Sequence, residues 1–492
     1  MSMIKAEHLT FSYPGSFDTI FDDVSFMIDT DWKLGFVGRN GRGKTTFLNL
    51  LMGNYEYEGT IQSSAEFAYF PYPVSDKSRM TEEILTEICP YAEEWELIRE
   101  LSYLEVDAGV LYRAFETLSG GEQTKILLAA LFLKEGRFLL IDEPTNHLDA
   151  KAREIMAAYL KKKKGFILVS HDRRFLDCCV DHILSLNRAD IQVESGNFTS
   201  FMERFLKRQE GEMAQNMHLK KEISRLKQAA RRSCGWSNQV EASKAGAYDK
   251  GYVGHKAAKM MKRAKAIEAR QQKSLEEKAK LLKNAETAEP LKLEPLSYHA
   301  DTLASFSDTA VCYDGRTVNK GVSFSVRQGE RIVLEGKNGS GKSSLMKLLL
   351  GMPIEHTGTV SVGSGLIISY VPQDASYLKG NLSDFAEKNG LCEPLFKAVL
   401  RKLDFDRVQF EKDMSDFSGG QKKKALIAKS LCEKAHLYVW DEPLNYIDVY
   451  SRMQIQELIL KFSPTMVFVE HDMAFRDAVA TMRVPIFSNL EI

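Results

Sequence analysis

The 492-residue chain has no apolar run approaching the ~18 to 20 residues that a membrane-spanning helix needs. Its start, Met1 to Thr10, lacks the basic-then-apolar pattern of a secretory signal, so a soluble, cytoplasmic protein is expected. Seven scattered cysteines (Cys89, Cys178, Cys179, Cys234, Cys312, Cys392 and Cys432) include no C-x-x-C pair. That gives no basis for a disulfide framework, a zinc site or an iron-sulfur site. Net charge is also scarce: 66 Lys and Arg face 67 Asp and Glu, a balance of -1. The near-neutrality hides a segregation. Residues 207–283 hold 20 basic against 8 acidic side chains, a surplus of twelve, which leaves the flanks at minus thirteen.

Within the basic segment, apolar residues near helical spacing predict two helices, Lys207 to Arg232 and Lys256 to Lys283. Between them Ser233 to His255 carries four glycines and three large aromatics, Trp236, Tyr248 and Tyr252, which predicts a loop at the tip of a hairpin. At ~1.5 Å per residue such a helix reaches roughly 39 Å, far enough to carry its tip away from a globular body. The segment reads either as a solvated coiled-coil joint or as an effector; its aromatics either stack on nucleic-acid bases or pack the loop against itself. With 44% hydrophobic residues, the rest of the chain can form two or three domains with substantial cores.

Both flanks carry phosphate chemistry. Leu34 to Val37 reads as a buried strand, Gly38 to Thr45 as GRNGRGKT, and Thr46 to Met52 as an apolar helix, which is a P-loop in the strand-loop-helix context it requires. The glycines (Gly38, Gly41, Gly43) let backbone N–H groups close around phosphates, Lys44 reaches the terminal ones, and the Thr45 hydroxyl can hold magnesium. FLLIDEP, Phe138 to Pro144, is a buried-type strand ending in Asp142, suited to a magnesium shell, and Glu143, suited to polarising the attacking water. LSGGEQ, Leu118 to Gln123, places Ser119, Gly120 and Gly121 at a helix start that favours an anion, and His171 follows a further apolar strand as a candidate sensor of the terminal phosphate. After a Pro- and Glu-containing linker, residues 284–297, the set repeats: GKNGSGKS (Gly336 to Ser343), FSGGQ (Phe417 to Gln421), LYVWDEP (Leu437 to Pro443) and EHD (Glu470 to Asp472). Offsets of 298 to 300 residues between equivalent positions indicate duplication of a whole domain.

These ordered motifs resemble ATP-binding cassette (ABC) domains. Two cassettes without membrane spans, joined by a basic helical hairpin, resemble the ABC-F subfamily across essentially the whole chain. The implied fold is α/β: two tandem P-loop ATPase domains, 1–206 and 298–492, joined by the hairpin linker, 207–297. The resemblance implies a monomer whose cassettes sandwich two ATP molecules with Mg2+ head to tail. Site one would use Tyr13 (adenine stacking), Asn40, Lys44, Thr45, Thr46, Asp142, Glu143 and His171 with Ser418, Gly419 and Gly420. Site two would use Tyr313, Asn338, Gly339, Gly341, Lys342, Ser343, Ser344, Asp441, Glu442 and His471 with Ser119, Gly120 and Gly121. Magnesium would be held by Thr45 and Asp142, and by Ser343, Gln373 and Asp441.

The chain departs from the family pattern in three places. Tyr72 stands where the second copy has Gln373, DEPTNHLD becomes DEPLNYID with Leu444 and Tyr446, and Glu470 replaces the serine before His471. The first predicts a slower first site. In ABC-F proteins the hairpin enters the 70S ribosome toward the peptidyl-transferase centre (23S rRNA) and the peptidyl-tRNA in the P site, and the charge surplus fits such a partner. Only 47 residues separate Tyr72 from Ser119, and 45 separate Gln373 from Ser418, which leaves no room for the arm of housekeeping members. The chain ends about twenty residues after His471, with no C-terminal extension. These features resemble the ribosome-protection members that act against lincosamides, streptogramin A and pleuromutilins. A housekeeping translation factor, a transporter ATPase working with separate membrane subunits and a DNA-repair ATPase are the alternatives; the basic hairpin argues against the second, and the absence of zinc ligands or very long coiled coils against the third.

Overall fold

The computed structural model describes residues 3–13, 19–134, 136–145, 148–186, 191–211, 214–215, 217–218, 221, 224, 291–313, 315–405 and 407–489. By contacts the chain divides into one unit comprising Met1–Phe201 and Glu289–Ile492 and another comprising Met202–Ala288. The tip residues Trp236, Tyr248 and Tyr252 lie outside the described residues, as does most of the expected hairpin. The first hairpin helix, expected from Lys207, is already running at 198. Phe198 and Phe201 are buried there, and this apolar start precedes the charged pattern on which the expectation was based.

The first cassette begins with β1 (Met3–Ser12), β2 (Thr19–Asp29), β3 (Lys33–Gly38), α1 (Lys44–Leu51), β4 (Glu58–Ser63) and β5 (Glu66–Phe70). It continues with α2 (Thr81–Ile88), α3 (Glu94–Tyr103), α4 (Gly120–Leu133), β6 (Arg137–Asp142), α5 (Ala150–Lys162), β7 (Phe166–Val169), α6 (Arg173–Cys179), β8 (His182–Leu186) and β9 (Ile191–Ser195). Strands β1, β2 and β4 form a small antiparallel sheet. The core sheet has the order β5-β6-β7-β3-β8-β9 and is parallel except for β9. Strands such as FILV (β7) are buried at every position, which is why they read as unbroken apolar runs and not as alternation.

The second cassette repeats the plan with β10 (Thr302–Tyr313), β11 (Arg316–Thr317), β12 (Val322–Arg327), β13 (Arg331–Glu335), α7 (Lys342–Leu349), β14 (His356–Val362) and β15 (Ile368–Val371). Then come α8 (Leu382–Lys388), α9 (Glu393–Lys402), α10 (Gly419–Cys432), β16 (Leu437–Asp441), α11 (Val449–Phe462), β17 (Met466–Val469), α12 (Met473–Val479) and β18 (Met482–Pro485). Its core sheet, β15-β16-β17-β13-β18, is wholly parallel. The P-loop follows β3 in the first cassette and β13 in the second, the acidic pair follows β6 and β16, and the histidine follows β7 and β17, the strands between them. Ligand-binding loops of parallel sheets gather at such carboxyl ends, so residues far apart in sequence converge.

Candidate functional site

Each P-loop leads into a helix that lacks a side-chain cap. Gly43 and Gly341 hold the N-cap positions of α1 and α7 at φ values of 95° and 90°. A Cβ on Gly43 would also come within 2.5 Å of the Ile20 side chain. The first-turn amides therefore face the loop with the positive end of the helix dipole, an anion-binding arrangement. Lys44 is buried, and its Nζ donates to the carbonyls of Gly38 (2.8 Å) and Arg39 (3.1 Å) and to Asn40 Oδ1 (3.4 Å). Lys342 does the same to Gly336 (2.9 Å) and Lys337 (2.7 Å). Burial lowers the pKa of both lysines. Behind the loops, Tyr13 bonds Thr46 and Tyr313 bonds Ser344, each at 2.8 Å.

The acidic pairs sit alike but bond differently. Both glutamates occupy left-handed backbone, φ 50° at Glu143 and 46° at Glu442, and their N–H groups bond Val169 O (2.9 Å) and Val469 O (3.0 Å). Such strain persists only where the surroundings over-determine it. Glu442 Oε1 hydrogen-bonds His471 Nε2 (3.2 Å), its Oε2 accepts from Asn445 (2.6 Å), and Gln373 also donates to it. Burial alone would raise its pKa, but the imidazole and the two amides hold it down to about 2. Among the described residues Glu143 receives the backbone N–H of His171 but no side-chain donor. Its Oε1 lies 3.4 Å from His171 Nε2 without hydrogen-bond geometry, and that oxygen accepts no hydrogen bond from the described residues. Burial, with the charge of Asp142, pushes Glu143 up to about 8, while burial depresses His171 well below its ordinary value.

The strand register explains part of the difference. Phe70 pairs with Ile141 and Val371 with Trp440, so Tyr72 and Gln373 are equivalent positions. Gln373 lines the second cavity beside Glu442. At the first site Tyr69, which the sequence reading missed, donates its hydroxyl to Asp142 Oδ2 at 3.1 Å, and Thr45 donates to the same oxygen at 3.1 Å. Its counterpart Tyr370 lies near Asp441 and is pushed up to about 12 by burial and that charge. The repeated Tyr two residues before Pro71 and Pro372 was the available signal.

Across the cassettes, Asn40 Nδ2 donates to Tyr446 O at 2.6 Å, and a Cβ on Gly420 would come within 2.9 Å of Asn40 Nδ2 and 2.5 Å of Tyr446 O. Only glycine fits there, so the first P-loop meets the second cassette's Ser418-Gly419-Gly420 turn. Arg39 Nη1 and Arg42 Nη2 approach Asp404 Oδ1 at 3.6 and 3.5 Å, and Arg173 bonds Gln456 at 2.7 Å. At the second P-loop a cavity of about 660 Å³ is lined by Asn338 to Ser344, Tyr313, Gln373, Glu442, Tyr446 and His471, with Leu148 and Arg153 from the first cassette. Ser119, Gly120 and Gly121 are not among its lining residues. Ser119 instead caps α4, its N–H (2.8 Å) and hydroxyl (2.7 Å) both donating to the Glu122 carboxylate, whereas Ser418 caps α10 opposite the neutral Gln421.

The sequence profile of the ABC transporter family matches residues 21–146 and 319–445, one match in each cassette. The chain belongs to the ABC transporter family. Its cassettes are ATP-binding ATPase domains, and their tandem arrangement resembles the ABC-F type. The ribosome protection protein VmlR of Bacillus subtilis is 27% identical, covering 97% of this chain and 86% of that protein. The energy-dependent translational throttle protein EttA of Haemophilus influenzae is 27% identical, covering 94% and 88%. The fold matches that of the archaeal ribosome recycling factor aABCE1, solved in complex with the stalk protein aP1, at a TM-score of 0.63 and 18% identity, covering 98% of this chain and 90% of that one.

Proposed function

We propose that the chain is a ribosome-binding ABC-F ATPase. ATP closes its cassettes on two nucleotides, its basic hairpin enters toward the peptidyl-transferase centre and the P-site peptidyl-tRNA to displace a bound antibiotic, and hydrolysis releases it. The observation that carries this reading is the pairing of two complete cassette sets, one P-loop already seated against the opposite Ser-Gly-Gly turn, with a segment of surplus charge twelve between them. Similarity over nearly the full length to a ribosome protection protein supports it.

The donor sets fit ATP with Mg2+: Asp441 Oδ1 is buried and accepts no hydrogen bond from the described residues, and two hydroxyls converge on Asp142. Thr45 and Asp142 at site one, and Ser343, Asp441 and Gln373 at site two, would hold the ion, which when bound neutralises phosphate charge. Gly38, Asn40, Gly41, Gly43, Lys44 and Thr46, and Gly336, Asn338, Gly339, Gly341, Lys342 and Ser344, cradle the phosphates; Lys44 and Lys342 exchange loop carbonyls for phosphate oxygens. Tyr13 and Tyr313 take the adenine, and Ser418 to Gly420 and Ser119 to Gly121 close on the opposite nucleotide. Glu442 and Glu143 orient the attacking water and accept its proton, His471 holds the Glu442 carboxylate, and His171 and His471 sense the terminal phosphate. Trp236, Tyr248 and Tyr252 are proposed to act at the hairpin tip.

The test is co-sedimentation of a Glu143→Gln/Glu442→Gln chain with purified 70S ribosomes. Retention with ATP and release with ADP are expected; equal behaviour with either nucleotide overturns the reading. Equal identity to EttA favours a second reading, a translation factor without a role in drug protection, and drug susceptibility separates the two.

A further inference from the structure

The duplication supplies an internal control for every surface of the cassettes. Helix α3 of the first cassette and α9 of the second are equivalent, and their inward faces agree: Leu97 and Leu101 are buried in one, Phe396 and Leu400 in the other. Their outward faces do not agree. Where α9 presents Pro394, Lys397 and Lys402, α3 presents Trp95, Ile98 and Tyr103, which are 55, 39 and 47% exposed. Beside them Tyr91 and Tyr112 are 94 and 58% exposed. On α9 Leu395 is the one large apolar side chain that is comparably exposed. A cassette therefore folds without this aromatic face, and packing does not account for it. Exposed apolar patches rimmed by polar groups mark interaction sites.

The charge around the patch selects the partner. Residues 79–107 carry nine acidic and two basic side chains, whereas the equivalent 378–406 carries five of each. Lys151 on Glu105, Lys163 on the buried Glu100 and Lys162 over the Tyr103 ring offset three of those charges, which leaves the face acidic by four. Glu94 accepts the Tyr112 hydroxyl at 2.5 Å and Glu93 accepts the Trp95 indole N–H, so carboxylates and rings form one surface. Nucleic-acid phosphates would be repelled there. A guanidinium is accepted: Arg99 already lies over the Trp95 ring at 5.0 Å. We infer that the α3 face of the first cassette docks a lysine- and arginine-rich protein segment. The partner is thus polypeptide and not RNA. The inference rests on the ribosome-binding reading for where such a segment is met.

The experiment places a benzophenone amino acid at position 95 of the Glu143→Gln/Glu442→Gln chain, binds it to purified 70S ribosomes with ATP, and irradiates. A ribonuclease-resistant adduct with a basic ribosomal protein is expected. Trp95→Ser/Tyr112→Ser in the same background is expected to weaken ribosome binding about tenfold, and in the otherwise native chain to leave basal ATP turnover unchanged. A ribonuclease-sensitive adduct, or no adduct with unaltered affinity, overturns the inference while the ribosome reading stands. Failure of the parent trapped chain to co-sediment overturns both.

Discussion

Replacing Glu442 with glutamine should cost the chain far more ATP turnover than replacing Glu143. At pH 7.5 a carboxyl at about 8 is ionised in roughly a quarter of molecules, while one at about 2 is ionised in all of them. Only the ionised form can accept a proton from water, so ionisation alone gives a site ratio of ~4. Glu442→Gln should then remove roughly four fifths of the turnover and Glu143→Gln roughly one fifth. Bound ATP and Mg2+ act at both sites, so the ratio between the two single variants is the quantity to read. The pH profile sharpens the test. Between pH 7 and 9 the ionised share of a group at about 8 climbs from ~0.1 to ~0.9. Turnover by Glu442→Gln, which works through site one, should therefore rise about tenfold over that range, and turnover by Glu143→Gln should stay flat. Adding Tyr72→Gln to Glu442→Gln supplies the amide that Gln373 gives Glu442, and should raise the residual rate and move its midpoint to lower pH. The assay is steady-state phosphate release. Equal losses in the two single variants, or a pH-flat residual rate in Glu442→Gln, would refute the reasoning.

Asp404→Asn should loosen the first site, because Arg39 and Arg42 meet Asp404 across the cassettes while the equivalent Glu105 pairs with Lys151 inside its own cassette at 3.4 Å. With the partly buried pair weakened by on the order of 2 kcal/mol, release of ATP from the Glu143→Gln/Glu442→Gln chain should speed up about thirtyfold; an unchanged release rate contradicts this. Glu470→Ser should destabilise the second cassette by about 1–3 kcal/mol in denaturant unfolding, because the buried Leu444 N–H loses its 2.7 Å acceptor. Adding Leu444→Thr should recover part of that loss, and strict additivity would show the two positions to be uncoupled. Replacing Ser233 to His255 with a short Gly-Ser turn should preserve ATP turnover yet abolish drug protection; retained protection would make the hairpin a joint.

The tandem α/β fold and the convergence of P-loop and acidic pair were legible in the sequence because glycines, buried-strand runs and a constant offset carry them. The differing surroundings of Glu143 and Glu442 were only half legible. Tyr72 marked a missing amide, but the hydrogen bond of Tyr69 to Asp142 depends on the register of β5 against β6, which no local pattern prints. Leu444 and Glu470 read as two separate departures, yet they are one exchange. In the first cassette the Thr145 hydroxyl meets that of Ser170 at 3.4 Å, and in the second a carboxylate replaces both by reaching the Leu444 backbone. The Asp404 contacts were illegible because they join residues 362 and 365 positions apart across the interface between the cassettes.

Drug susceptibility tests the central claim most directly. Growth inhibition by a lincosamide, a streptogramin A and a pleuromutilin is measured in a susceptible bacterium with and without the chain, with Lys44→Ala/Lys342→Ala as the control. Higher inhibitory concentrations for at least one class are expected with the native chain, and no increase with the control. Unchanged inhibitory concentrations for all three classes, with the native chain expressed and soluble, would contradict it.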